Sequence, residues 1–114
     1  MALPRAHRLS LRLNRDRLTK TGKTAFGKYF TLISSATPAD KKENSPRLAI
    51  LLSKKTASLA VDRNKIKRIT SALVESLFSS IPPKDYIIIP KRSVILSSYS
   101  DLTSDFISII SKLI

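Results

Sequence analysis

The sequence contains no cysteine and a single histidine, His7. Disulfide bonds and thiolate metal sites are therefore excluded, and one imidazole cannot form a histidine metal cluster. No apolar run reaches the roughly 20 residues that cross a bilayer. Residues 1–13 also lack the continuous apolar stretch of a secretory signal. These absences favour a cytoplasmic protein without a membrane partner.

Acidic residues are also scarce, at 8 against 21 Lys and Arg, which gives a net charge of +13. Hydrophobic residues make up 42% of the 114 residues and charged residues 25%, which is typical of a folded domain and not of a disordered polycation. We predict one domain over residues 1–114, with 1–12 as a flexible basic arm. The charge predicts a polyanionic partner, with nucleic acid ahead of an anionic membrane surface.

The positive charge lies in two blocks of the sequence. Residues 1–30 hold eight Lys or Arg and one acid, and residues 47–70 hold seven and one acid. Their net charges, +7 and +6, account for the whole +13 of the chain. A generic surface mixes both signs, so the blocks indicate two basic surfaces or one surface built from both.

Hydrophobic periodicity predicts an α+β fold, a small α/β sandwich with the order α-β-β-α-β-α. The segments are helix 14–21, strand 25–35 with a bend at Gly27 and room for an additional strand within 23–35, loop 36–46, strand 47–53, helix 62–78, strand 85–90 and helix 98–113. The strands at 47–53 and 85–90 flank a helix, which predicts a parallel βαβ unit. Because the segment 47–53 is apolar on both faces, we expect it to be a central strand.

Several residues are typical of helix ends and of core positions. Asn14 and Asp62 are candidate N-caps, Gly22 a stop signal, and Ser98 with Asp101 a capping box. Two helices carry apolar stripes, formed by Ile66, Ile69, Leu73 and Leu77 and by Leu102, Phe106, Ile109, Ile110 and Leu113. Phe26, Tyr29 and Phe30 could stack on bases, but aromatics in strands are more often core, and we favour the core.

The start of the second helix carries the clearest candidate site. Ile66 faces the core side of this helix. The other flanks of the helix carry two pairs of polar residues spaced four apart, which are Arg63 with Lys67 and Asn64 with Arg68. Like charges at this spacing destabilise an isolated helix by a few tenths of a kcal/mol, and a bound anion reverses that cost. Arg forks onto phosphate, and the helix N-terminus adds a positive dipole. A solvated cationic face is the alternative; the clustering favours phosphate binding but does not identify the polyanion.

Several runs of the sequence resemble the ribonuclease P protein family, in the family's order and near its spacing. They are PRAHRL (4–9), GKYFTL (27–32), RLAILLSKK (47–55), AVDRNKIKR (60–68), KDYIIIPKR (84–92) and LSSYSDL (96–102). The resemblance covers nearly the whole chain. Its most specific part is the Arg-Asn-basic-x-Lys-Arg core downstream of Ser-Lys-Lys.

The resemblance implies a fold with the same element order and a left-handed strand–helix–strand crossover, contrary to the usual rule. It implies a catalytic RNA as partner and precursor tRNA as substrate, whose single-stranded 5′ leader enters a cleft between the first helix and the sheet. No obligate protein partner is evident. The RNA-contacting residues by motif match are Arg63, Asn64, Lys67 and Arg68, with Lys54, Lys55 and Lys65 in support.

The implied chemistry is Mg²⁺-assisted hydrolysis of a phosphodiester, with the metal held mainly by the RNA. The eight acids are scattered along the chain, so we expect neither a catalytic residue nor a metal ligand in the protein. The chain would then be the non-catalytic protein subunit of an endoribonuclease. A small ribosomal protein is the alternative, and a stand-alone nuclease a third hypothesis.

The sequence departs from the family at three places. Where the family has aromatics four apart on the first helix, this chain has Arg15 and Thr19, so leader contact would rely on charge or on Thr31 and Ile33 of the sheet. Ala57 replaces a glycine after Ser-Lys-Lys, and the link to the Arg-Asn helix has one extra residue. Ser71 occupies a position that is basic in the family.

Overall fold

The computed structural model describes residue 9 and residues 11–35, 46–52 and 59–113. Its helices are α1 (Leu11–Thr21), α2 (Ala60–Ser76) and α3 (Tyr99–Leu113), with short 3-10 helices at Phe78–Ser80 and Arg92–Leu96. Its strands are β1 (Lys23–Phe26), β2 (Phe30–Ser35), β3 (Arg47–Ile50) and β4 (Asp85–Pro90). The loop predicted over 36–46 lies outside the described residues except for residue 46. The predicted arm lies outside them up to residue 8; Leu9 is buried, and α1 begins at Leu11.

The four strands form one mixed sheet in the order β1-β2-β4-β3. β1 and β2, and β2 and β4, are antiparallel, whereas β3 and β4 are parallel. The α+β class, the additional strand within 23–35 and the parallel βαβ unit are thereby confirmed. The handedness of the crossover stays a prediction.

The expectation of a central strand at 47–53 was wrong, because β3 lies at an edge and β4 is the central strand. Both faces of β3 are nevertheless covered, because Leu48 lies in the buried cluster with residues of α2 and α3, and Ala49 lies in the cluster with Leu18 of α1. The backbone amide of Leu9 donates to the carbonyl of Leu48 at 2.9 Å, and Leu9 is buried beside β3. Leu9 therefore occupies one hydrogen-bonding position on the outer edge of β3.

The sheet separates two clusters of buried side chains. On one face, Ile66 and Leu73 of α2 and the whole predicted stripe of α3 pack on the sheet, with Phe106 edge-on to Phe30 at 5.8 Å between ring centroids. Ile69 and Leu77 are half-buried against the same cluster. On the other face, Leu18 of α1 packs with residues of β2, β3 and β4. Both predicted helix stripes are confirmed.

The helix ends agree in part with the predicted signals. The amide of Gly22 donates to the carbonyl of Leu18, and α1 ends at the residue before Gly22. Asn14 is not the N-cap, since the good helix formers upstream extend α1 to Leu11. Asp62 is not a cap either, because α2 starts earlier and Asp62 lies in its first turn, where a negative charge favours the helix dipole. The hydroxyl of Ser98 accepts the amide of Asp101 at 3.2 Å, as expected of a cap.

The bend predicted at Gly27 is the turn of a hairpin between β1 and β2. The amide of Gly27 donates to the carbonyl of Phe30 at 2.8 Å. A Cβ on Gly27 would lie 2.3 Å from Ile109 Cδ1 and 2.7 Å from a carboxylate oxygen of Asp105, so α3 packs directly on the turn. The core interpretation of the aromatics holds for Phe30 and Tyr29 but not for the third one, Phe26.

Tyr86 lies in the core on β4, and its hydroxyl donates to the carbonyl of Pro82 at 2.9 Å. Burial raises the pKa of Tyr86 to about 12. The phenol of the unfolded chain has a pKa of about 10, so the folded state favours the protonated form of Tyr86. The stability that the protonated Tyr86 contributes is therefore fully present below pH 10 and is lost as the pH rises through about 12.

We therefore expect the free energy of unfolding to fall between pH 10 and 12, and Tyr86→Phe to remove part of that fall. Urea unfolding of both proteins below pH 10 and near pH 12 measures the difference. Parallel losses in the two proteins would contradict this assignment.

Candidate nucleic-acid interface

The first two turns of α2 present a basic surface. Ile66 is fully buried and anchors the helix. Around it, Asn64, Lys67 and Arg68 are exposed, and Arg63 is half-buried. The structure thus brings these four predicted residues together at one helix start, with Arg68 exposed and Arg63 half-buried.

The structure describes one of the three lysines predicted to support this site. Lys65 is exposed within the same two turns. Lys54 and Lys55 lie outside the described residues, so their proximity to α2 stays a prediction. We call the surface formed by Arg63, Asn64, Lys65, Lys67 and Arg68 the α2 basic face.

Two arginines of the basic blocks form ion pairs within the protein, which sequence reasoning missed. Arg47 donates from Nε and Nη2 to the two carboxylate oxygens of Asp85, at 2.9 and 2.8 Å, and Arg17 pairs with the same carboxylate. Asp85 is fully buried. Because these residues belong to α1, β3 and β4, one carboxylate ties the first helix to two strands.

The four residues predicted for the leader lie on the side of the sheet that α1 covers. Ile33 packs with Leu18 of α1, and Thr31 follows the same alternation along β2. Arg15 and Thr19 are exposed on α1, where the Thr19 hydroxyl donates to the carbonyl of Arg15 at 2.7 Å. The helix thus offers a charge and polar groups beside a half-buried strip of β2.

Phe26 was assigned to the core, yet its side chain is 69% exposed. It stands directly across from Thr31 in the β1–β2 register. Strand alternation was the available signal: Ala25 and Phe26 must face opposite sides of the sheet, and only one side carries α3.

Within the described ranges, no group of three or more His, Cys, Asp or Glu residues is arranged to hold a metal ion. Over the same part of the chain, no helix has the length and apolar character needed to span a bilayer.

A family model described as Ribonuclease P matches residues 3–114 of the chain. The chain belongs to the ribonuclease P family. The family acts with ribonuclease P RNA in tRNA processing, so the chain is a protein component of that ribonucleoprotein enzyme, and the ribosomal alternative is not favoured.

Curated relatives agree with the ribonuclease P assignment. The ribonuclease P protein component of Microcystis aeruginosa is 36% identical over 81 residues, which are 71% of this chain and 68% of that protein. The component of Aliivibrio salmonicida is 38% identical over 68 residues, 57% of this chain and 52% of that protein. The second match thus spans about half of the relative's length.

Solved ribonuclease P proteins share the fold. The Staphylococcus aureus protein superposes with a TM-score of 0.76 at 26% identity, covering 94% of this chain and 96% of that one. The Thermotoga maritima protein gives a TM-score of 0.81 at 21% identity, covering 94% and 97%. The second likeness is evidence for the fold alone.

Proposed function

We propose that the α2 basic face binds phosphates of the catalytic RNA, while the sheet beside α1 holds the 5′ leader of precursor tRNA. The observation that supports this division is the exposure of a cation cluster at one helix start, on the opposite side of the sheet from α1. One protein can then contact two RNA molecules at once.

The α2 basic face suits a phosphate backbone in both charge and geometry. Arg63 and Arg68 carry planar donor forks, and Lys65 and Lys67 are mobile point charges. Asn64 adds an amide that can donate to phosphate or exchange hydrogen bonds with a ribose hydroxyl. The helix beneath begins at this end, so its dipole adds to the attraction.

On the other side of the sheet, the leader would lie across α1 and β2. Arg15 supplies a charge for phosphate, and Thr19, Thr31 and Ile33 offer hydroxyl and methyl groups to sugars and bases. Asp85 holds α1 in place through Arg17, which keeps the distance between helix and sheet constant.

The bond that breaks is a phosphodiester between leader and tRNA, and hydrolysis leaves a 5′-phosphate on the tRNA. Two described acids already have structural partners: Asp85 binds two arginines, and Asp105 accepts the backbone amides of Lys28 and Tyr29. We therefore assign the Mg²⁺ to the RNA, with no catalytic residue in the protein. Such an enzyme works in the cytoplasm, where precursor tRNA is made.

Reconstitution with the catalytic RNA of the same organism tests the proposal. We expect the protein alone to leave precursor tRNA intact, and the protein with RNA to remove the leader at a Mg²⁺ concentration at which the RNA alone is slow. Cleavage by purified protein without RNA would instead establish a stand-alone nuclease. Equal rates with and without protein at low Mg²⁺ would refute the proposal.

A further inference from the structure

Phe26 is a large aromatic side chain exposed at the end of β1 (69%). Its neighbour Ala25 is buried in the cluster that α3 covers. Since side chains alternate along a strand, Phe26 faces the side of the sheet that carries α1. There it stands across from Thr31, at the end of the strip proposed for the leader.

The backbone that carries Phe26 is held firmly. The hairpin turn closes through Gly27 and Phe30, and both carboxylate oxygens of Asp105 accept turn amides, from Lys28 and Tyr29, at 2.8 Å. Because the backbone next to Phe26 is already ordered, binding a ligand there orders little additional backbone. The exposed ring is therefore a ready surface for a flat partner.

Two lysines contact the backbone at Phe26 and at the residue that follows it. Lys112 Nζ donates to the carbonyl of Phe26 at 3.3 Å, and Lys91 Nζ donates to the carbonyl of Gly27 at 2.8 Å. Both lysines are exposed, as is Lys28 in the turn. One ammonium group thus contacts the backbone of Phe26, and a second contacts the backbone of the next residue, Gly27.

Two acids also lie near the turn. Asp101 and Asp105 line a hollow with Lys28 and Tyr29, and Asp105 is already engaged by the turn amides. The ammonium of Lys28 lies 5.4 Å from the centre of the Tyr29 ring. Lys91 and Lys112 remain the cations beside the Phe26 carbonyl and the turn.

Single-stranded nucleic acid binds where bases can stack on an exposed aromatic ring and phosphates can reach cations, and Phe26 with Lys91 and Lys112 offers both kinds of group at one end of the sheet. From residue 15 onward, the exposed side chains of α1 are charged or hydroxyl-bearing and none is aromatic. We propose that Phe26 stacks on one base of the precursor tRNA leader. This inference rests on the proposed function and assigns the stacking contact of that site to the sheet edge.

The test is a series of precursor tRNAs whose leaders lengthen one nucleotide at a time, bound to the reconstituted enzyme. Phe26→Ala and Phe26→Leu should weaken binding of long-leader substrates by roughly 5- to 150-fold, the range of one base stack. They should leave the shortest leader unaffected. Phe26→Trp should keep the wild-type affinity, because any aromatic ring offers a face on which a base can stack. Ile107→Ala, which removes an exposed apolar side chain of α3, is the matched control.

A second readout separates stacking from folding. With 2-aminopurine placed at successive leader positions, one position should change fluorescence on binding the wild type and fail to do so with Phe26→Leu. An equal penalty for every leader length, or a leucine variant that binds like the wild type, would overturn the stacking proposal. Failure of the wild-type protein to promote leader removal would instead refute the proposed function itself.

Discussion

Replacing Arg63 and Arg68 together by alanine should weaken binding to the catalytic RNA by about 100-fold or more and raise the Mg²⁺ concentration needed for cleavage. A hydrogen bond that involves a charged group contributes about 1.5–3 kcal/mol, so the loss of two corresponds to at least two decades of affinity. The phosphates left bare repel one another, and additional Mg²⁺ is needed to screen them.

Filter binding at several salt concentrations measures this effect. The salt dependence should flatten in the variant, by somewhat less than one unit of slope for each lost contact. Lys23→Ala with Lys84→Ala is the matched control: it also removes two charges, and both residues line a hollow near the end of α1. The α2 basic face lies at the N-terminal end of α2, whose 17 residues span about 25 Å. Lys84 comes after the C-terminal end of α2 in the sequence.

An equal loss of affinity in both double variants would mean that net charge, and not the α2 basic face, drives binding. A wild-type affinity that does not change between low and moderate salt would contradict the electrostatic account altogether. Arg63→Lys with Arg68→Lys should lie between wild type and the alanine variant, since lysine keeps the charge but loses the fork.

Asp85→Asn should cost about 3 kcal/mol of unfolding free energy, the largest stability effect that we expect from one substitution. Removing one partner of a buried ion pair typically costs 3–5 kcal/mol. Because the side chains of Arg17 and Arg47 are 29% and 17% exposed, water screens part of the loss, and the lower end applies.

Urea unfolding at neutral pH measures this loss. Asp16→Asn makes the same chemical change at an exposed position of α1 and should alter stability by less than about 0.5 kcal/mol. If the two variants are equally stable, the carboxylate does not hold α1 to the sheet. A loose α1 should also reduce affinity for long leaders while leaving binding of the catalytic RNA unchanged.

Local periodicity was enough to predict most of the elements. The stripes of α2 and α3 repeat every three to four residues, so the buried face of each helix is visible in the sequence. The position of the α2 basic face follows directly, because residues beside a buried Ile66 must face outward. That the basic face binds the catalytic RNA stays a prediction.

Contacts between distant segments were not visible in the same way. Arg17 and Asp85 are 68 residues apart, and charge counting placed Arg17 and Arg47 with the nucleic-acid-binding blocks. Phe26 was misassigned because its apolar character fits a core position equally well. Only the sheet topology shows that α3 covers Ala25 and leaves Phe26 exposed.

Leu9 has a consequence beyond the fold of a single molecule. Strands at a sheet edge invite pairing with another copy. A net charge of +13 keeps free copies apart by repulsion, but a bound polyanion neutralises that charge. The amide of Leu9 occupies the carbonyl of Leu48 on β3 whatever the charge. We therefore expect this position of the β3 edge to stay closed to a second copy when RNA neutralises the charge and electrostatic repulsion no longer operates.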